Sequence, residues 1–334
     1  MTTETQPDLV SLADVRAAAG RLDGITVRTP LVAFGPTADR RFLKAESLQP
    51  IGAFKLRGAY ATISTLSPEE LARGVITYSS GNHGQGVARA ARLLGAPAVV
   101  VMPSDAPAIK RTRIEQDGAQ VVVVGPASEE RHQVALEIAE RRGFAVIPPF
   151  DDDRVIAGQG TVGLEIAEDL PDLAAVLVPI GGGGLASGVA VAISALRPDA
   201  RVIGVEPELA ADARDSLERG EIVTWPADQV SRTIADGTRT QALGARTFAH
   251  LFPLLATIVT VTEAEIAAAV RLAAEWSRLV VEPSGALGIA ALAFHSRELR
   301  LDRVNGAVVA VVSGGNVDPD EYRGYLEAPI PPLG

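Results

Sequence analysis

Val176-Leu177-Val178-Pro179-Ile180, running into Gly181-Gly182-Gly183-Gly184-Leu185-Ala186-Ser187-Gly188, is the stretch on which the reading of this chain turns. A short β-branched run enters four consecutive glycines, and a small-residue helical pattern leaves them. This is the strand, loop and helix of a βα unit. Glycine lets a backbone approach an anion closely, and the N–H groups at a helix N-terminus meet it with the positive end of the macrodipole. The loop therefore reads as a phosphate cradle, against the plainer reading of a tight turn without a ligand. Gly181-x-Gly183-x-x-Ala186 also satisfies the dinucleotide fingerprint, with Glu206 at the end of the next strand where a ribose-binding acid would sit. A dinucleotide-dependent oxidoreductase is thus a competing local reading.

Outward from that loop, short apolar runs alternate with longer helical patterns, which predicts an α/β protein with mostly parallel sheets. Strands are expected at Val75–Tyr78, Ala98–Met102, Val121–Val124, Ala145–Ile147, Val176–Val178, Val202–Val205, Ile258–Val261 and Ala307–Val312. Helices are expected at Gly84–Leu94, Glu129–Arg142, Leu185–Ala195 and Glu263–Ser277, the last opened by Thr262 and Glu265 as a capping pair. Proline and acidic clusters near 148–153 and a softer break near 48–50 divide the chain into two lobes. Residues 49–148 form a smaller lobe inserted into a larger one built from 1–48 and 149–334. The tail from Ala328 to Gly334 reads as disordered.

The balance of 31 basic and 41 acidic residues gives a net charge of −10, which argues against nucleic acid or an anionic membrane as partner. There is no cysteine, so thiolate and disulfide chemistry are excluded. Leu173–Leu196 carries no charge, but Pro179 and the glycines break it, so no membrane span is expected there. The N-terminus shows no secretory pattern, and a cytoplasmic location follows by default.

Of the 31 basic residues only Lys44, Lys55 and Lys110 are lysines. Where this chain wants charge alone it uses arginine, so a lysine that persists is a candidate amine nucleophile, which a guanidinium cannot be. Lys55 fits best, in Gly52-Ala53-Phe54-Lys55-Leu56-Arg57-Gly58. A second strand-to-helix loop, Ser79-Ser80-Gly81-Asn82-His83-Gly84, offers N–H groups and hydroxyls suited to a carboxylate. A third turn, Val312-Ser313-Gly314-Gly315-Asn316, places a hydroxyl at a strand end.

Together these motifs resemble the fold-type II pyridoxal-phosphate enzymes, in particular the threonine/serine dehydratase and serine racemase group. Ala157-Gly158-Gln159-Gly160-Thr161, Ala235-Asp236-Gly237 and Glu282-Pro283-Ser284-Gly285 complete the set in the family's order. The resemblance implies that Lys55 carries pyridoxal 5'-phosphate as a Schiff base with Phe54 against the ring. It implies Asn82 on the phenolic oxygen, Gly181, Gly182, Gly183, Gly184 and Leu185 on the phosphate, Gly237 beside the cofactor and Ser313 at the pyridine nitrogen. Ser79, Ser80, Gly81, Asn82 and His83 would hold the substrate carboxylate, and Lys55 would remove the Cα proton.

Three features bear on the subfamily. Ser80 sits where serine racemase has its acid/base on the opposite face, or it merely caps a helix. Arg131 matches an arginine of racemase and hydroxyaspartate dehydratase relatives and could meet a second carboxylate. Glu206, Asp212 and the Ala210 carbonyl resemble the family's divalent-cation site for Mg²⁺, with Ca²⁺ or Mn²⁺ as alternatives. The resemblance implies a dehydratase of a small β-hydroxy amino acid, with L-threonine and L-serine first, in a homodimer or homotetramer. Serine racemase and 3-hydroxyaspartate dehydratase are the alternatives within the family.

Overall fold

The computed structural model describes residues 9–35, 40–79, 81–104, 106, 108–125 and 128–334. Among these, the strands in chain order are β1 (Leu31–Ala33), β2 (Arg41–Ala45), β3 (Val75–Tyr78), β4 (Ala98–Pro103), β5 (Gln120–Val124), β6 (Ala145–Val146), β7 (Leu173–Pro179), β8 (Arg201–Pro207), β9 (Thr257–Val261) and β10 (Ala307–Val312). They form a six-stranded sheet, β1-β2-β10-β7-β8-β9, and a four-stranded sheet, β5-β4-β3-β6. Only β1 with β2 is antiparallel; every other pairing is parallel.

Helices cover both faces of the larger sheet, which is why its strands are apolar on both sides. Leu177, Ile203 and Val261 pack with the helices Glu263–Leu272 and Pro283–Phe294 on one face. Val176, Val178 and Val309 pack with the helices Asp153–Asp169 and Gly184–Leu196 on the other. In the smaller sheet, Val75, Val100 and Met102 face the helices Lys55–Ile63 and Asn82–Leu94.

The expected strands are present, several of them longer than the apolar run that marks them. β1 and β2 were not expected. β2 reads Arg41-Phe42-Leu43-Lys44-Ala45, and a fully buried lysine in a strand gives no apolar signal. The span expected as one helix from Glu263 to Ser277 is an α-helix to Leu272 followed by a π-helical turn at Ala273–Ser277, which closes on Arg278 at φ 60°. Thr262 and Glu265 do form the expected capping box. The tail is docked rather than loose. Arg271 Nη1 donates to the Ala328 carbonyl at 2.9 Å, and Gly334 N donates to Ala293 O at 2.9 Å. Leu173–Leu196 is a strand, a glycine loop and a helix, and no helix among the described residues is long and apolar enough to cross a membrane.

The helix that begins at Lys55 is fixed in two ways. Gly58 and Gly158 let it lie directly on the helix Asp153–Asp169: a Cβ at Gly158 would stand 2.7 Å from Gly58 Cα. Gly58 N then donates to Gln159 Oε1 at 3.2 Å. Next to it, the fully buried Arg57 guanidinium spans two carboxylates. It reaches Glu46 at 2.8 Å through both Nε and Nη2, and Glu165 at 2.6 Å through Nη1. Lys44 Nζ completes the cluster, 2.5 Å from Glu165 and 2.7 Å from the Thr29 carbonyl.

Burial alone would push the Glu46 carboxyl up, but Arg57 outweighs it and the group is held below the usual carboxylate range. A depressed folded pKa gives stability that is present above the unfolded value, near 4, and is lost as pH falls through the folded one. Arg57→Met leaves buried carboxylates uncompensated and should lower the unfolding free energy by about 3–5 kcal/mol. Arg57→Lys should recover only part of that loss, because one ammonium cannot span both carboxylates. Urea unfolding followed by circular dichroism at neutral pH measures both.

Candidate active site

Three parallel strands deliver their C-terminal ends to one cavity of about 390 Å³, the usual place for a ligand in an α/β sheet. β7 delivers Gly181–Gly184, β3 delivers Ser79 and the start of the helix Asn82–Leu94, and β10 delivers Ser313. Phe54, Lys55, Gly81, Asn82, His83, Arg131, Leu185 and Gly237 line the same space. The structure thus brings together every described residue expected at the cofactor and substrate. Ser80 lies outside the described residues.

After β7 the chain turns through Gly183 at φ 92°, a left-handed conformation that disfavours any side chain, and enters the helix Gly184–Leu196. The backbone N–H groups of Gly182, Gly183, Gly184, Leu185 and Ala186 have no partner among the described residues, whereas Ser187 N already bonds the Gly183 carbonyl at 2.8 Å. Thr247 Oγ1 steadies the loop by donating to the Gly182 carbonyl at 2.8 Å. Orphan donors at a helix N-terminus are an anion site.

Lys55 is set beside this loop by its neighbours. Phe54 N donates to the Ser313 carbonyl at 3.0 Å, and Ala53 bridges Gly314, so the start of the lysine's helix is tied to the end of β10. The ammonium donates to the Pro149 carbonyl at 2.8 Å and lies 5.1 Å from the centre of the Phe54 ring. Burial pulls its pKa down to about 8. This amine therefore reaches its nucleophilic form far more readily than an exposed one.

The carboxylate loop is built on a second helix N-terminus. Gly81 N donates to Ser79 Oγ at 3.1 Å, and the N–H groups of Asn82, His83 and Gly84 have no partner among the described residues. Asn82 is held from both sides: its Nδ2 donates to Glu282 at 2.5 Å, and its Oδ1 accepts from Asn316 at 2.9 Å. His83 bonds the Ile147 carbonyl through Nε2 at 3.0 Å. Burial and then the nearby Lys55 charge push its pKa down to about 3, so it is neutral and serves as a brace rather than an acid. Ser313 Oγ donates to the Ser284 carbonyl at 3.3 Å, and Gly237 N donates to Ser284 Oγ at 2.8 Å.

Sequence reading missed the roles of five lining groups. Glu282 grips Asn82, and burial raises its carboxyl to about 7; its motif was visible but its role was not. Lys110 pairs with Asp236. Tyr78 and His132 stack at 4.7 Å on the wall that carries Arg131.

Glu206, Asp212 and Ala210 lie outside this cavity, where β8 ends and the helix Asp212–Arg219 begins. Glu206 accepts from the N–H groups of Ala213 at 3.0 Å and Arg214 at 2.8 Å. Those bonds cap the helix and leave the carboxylate no role toward a ribose. Burial, and then Asp212, pushes Glu206 well above the usual range; burial lifts Asp212 to about 7, and Asp212 Oδ2 has no partner. No group of three or more histidines or acids that could hold a metal ion occurs among the described residues.

Pyridoxal phosphate fits the residues present: unpaired amides for the phosphate, an amine of lowered pKa for the aldehyde, and an asparagine anchored on both sides. The comparisons agree. The profile of the family described as pyridoxal-phosphate dependent enzyme matches residues 23–314. L-threo-3-hydroxyaspartate ammonia-lyase of a Pseudomonas species is 42% identical over 96% of this chain and 99% of its own. L-threonine ammonia-lyase of Thermotoga maritima is 43% identical over 93% of this chain and 76% of its own. The solved structure of maize serine racemase superposes with a TM-score of 0.90 at 36% identity, over 95% of this chain and 97% of that one. The chain belongs to the family of pyridoxal-phosphate-dependent enzymes.

Proposed function

We propose that this protein is an ammonia-lyase that removes water from small β-hydroxy amino acids, L-threonine and L-serine among them, and releases a 2-oxo acid and ammonia. The observation that carries the reading is Lys55, whose buried amine of lowered pKa shares one cavity with two sets of unpaired helix N-terminal amides. One set suits the cofactor phosphate and the other the substrate carboxylate.

When bound, pyridoxal phosphate supplies the electron sink for negative charge developing at Cα. The protein supplies position and proton transfer. The Gly182–Ala186 amides would hold the cofactor phosphate and Asn82 its phenolic oxygen, and Ser313 would offer the ring nitrogen a neutral hydroxyl. The amides of Asn82, His83 and Gly84 fix the substrate carboxylate. The Lys55 amine then takes the Cα proton as general base.

A second reading, 3-hydroxyaspartate as substrate, is favoured by Arg131, which lines the cavity where a second carboxylate would be met. The racemase alternative depends on Ser80. Glu206, Asp212 and the Ala210 carbonyl are assigned to Mg²⁺, or Ca²⁺ or Mn²⁺ in its place, because a divalent cation would relieve two buried carboxylates that disfavour each other's charge. A smaller lobe of 49–148 and a cytoplasmic location belong to the same reading. So does a homodimer or homotetramer, supported by the exposed apolar side chains of Val27, Leu48 and Val280.

Borohydride should trap the cofactor on the Lys55 peptide, as read by mass spectrometry, and Lys55→Ala should abolish the adduct and lower turnover by at least about 10³-fold. Below pH 8 the capture of cofactor by stripped protein should quicken as pH rises, levelling above about 8, because only the neutral amine attacks. Among L-threonine, L-serine, D-serine and the 3-hydroxyaspartate stereoisomers, L-threonine and L-serine should give the fastest 2-oxo acid release. If hydroxyaspartate leads, Arg131→Met should cut its kcat/KM by about ten-fold or more while sparing threonine. Mg²⁺ should raise the melting temperature of the protein and fail to do so in Asp212→Asn.

A further inference from the structure

Neither Lys44 nor Lys110 is used by the reaction as described, but Lys110, buried at 6% exposure, is on the wall of the same cavity. It stands on the helix Ala108–Gln116, which follows β4 of the four-stranded sheet. Its ammonium is paired with Asp236, in the 3₁₀ turn Asp236–Thr238 that follows β8 of the six-stranded sheet. The pair therefore crosses from elements of one sheet to those of the other at the cavity. Its stem lies flat on the carboxylate loop: a Cβ at Gly81 would stand 2.7 Å from Lys110 Cδ and 3.1 Å from Nζ. Gly81 is the residue that precedes the unpaired amides of Asn82, His83 and Gly84.

We infer that Lys110 is a positioning residue for the substrate carboxylate: anchored by Asp236 and packed on Gly81, it holds Gly81 and the helix start at Asn82–Gly84 in their receiving shape and adds a fixed positive charge beside the helix N-terminus. This rests on the proposed function, which puts the substrate carboxylate on that loop. Burial disfavours the ammonium, but Asp236 and Glu282 outweigh it and keep Lys110 charged. Lysine suits the place because of its shape. A guanidinium is broad and planar, and an ammonium on an unbranched stem is not. The close contact of the stem with Gly81 favours the narrower head.

The test uses holoenzyme and L-lactate, which has a carboxylate and hydroxyl but no amine, so its binding reads the carboxylate loop without turnover. Lys110→Met should weaken L-lactate, measured by calorimetry, by about ten-fold or more. It should raise the amino-acid KM by a similar factor, with a smaller change in kcat. Lys110→Arg should not rescue either constant. Asp236→Asn, which keeps the ammonium but removes its anchor, should raise both constants and stands in if Lys110→Met does not fold. Affinity and KM within two-fold of the parent in Lys110→Met and Asp236→Asn would overturn the inference, as would full rescue by Lys110→Arg. Failure of the parent to release 2-oxo acid from any hydroxy amino acid would count against the proposed function instead, since L-lactate binding is read without it.

Discussion

The Arg57 guanidinium, fixed between Glu46 and Glu165 with no access to water, is the constraint on which the site depends. It lies two residues past Lys55, in the first turn of the same helix, so whatever fixes Arg57 fixes the amine. Glu46 follows β2 directly, and Glu165 lies on the helix Asp153–Asp169. One side chain thus ties the lysine's helix to the end of β2 in the large sheet and to the helix packed behind it. A buried ion cluster is a poor source of net stability, since desolvation consumes most of the attraction. Its value here is geometric: five guanidinium donors and two carboxylates fit in one arrangement, and a shift of the helix would strand several of them.

With that helix fixed, the rest of the site follows from parallel strand order. β7 and β10 run parallel in one sheet, so the loops that leave them open on one side, and the loop after β3 of the other sheet lines the same cavity. Two of those loops enter helices, and each helix brings unpaired N–H groups to the cavity without spending a charged side chain. The backbone thus makes the site electropositive at two points. Polar side chains set its geometry: Glu282 and Asn316 clamp Asn82, and His83, held neutral, braces the loop against Ile147.

The parts of this arrangement that were legible in the sequence are local in the chain. Gly181–Gly184 after an apolar run, Ser79–Gly84 after another and Ser313 at the end of a third could be read because strand, loop and helix are consecutive. The two glycine-rich motifs around Gly58 and Gly158 were visible as patterns, but their reason, two helix backbones in contact, appears only when residues 100 apart are placed together. Long-range polar pairs left no trace. Asn82 and Glu282 are 200 residues apart, and Lys110 and Asp236 are 126 apart. No periodicity marks such a pair. β2 escaped because its buried Lys44 breaks the apolar run, and the π-helical turn at Ala273–Ser277 because its composition is that of an ordinary helix. Glu206 misled for the opposite reason. It stands where a ribose-binding acid would, yet its carboxylate accepts from two backbone amides of the helix Asp212–Arg219, outside the cavity.

The scarcity of lysine points further than nucleophilicity alone. Lys44, Lys55 and Lys110 each place an ammonium in a confined polar site: between Glu165 and a carbonyl, against the Pro149 carbonyl, and between Asp236 and Gly81. Most of the arginines that replace lysine elsewhere sit where a broad head group can reach solvent or several carbonyls, as Arg197 and Arg239 do. Arg57 is the buried exception among the described residues, and it spans two carboxylates at once. Head-group shape therefore sorts the two residue types in this chain. Burial makes loss of the proton easier for Lys55, which has a carbonyl and no carboxylate beside it. A carboxylate at that place would hold the amine charged, as Asp236 holds Lys110, and would take away the chemistry.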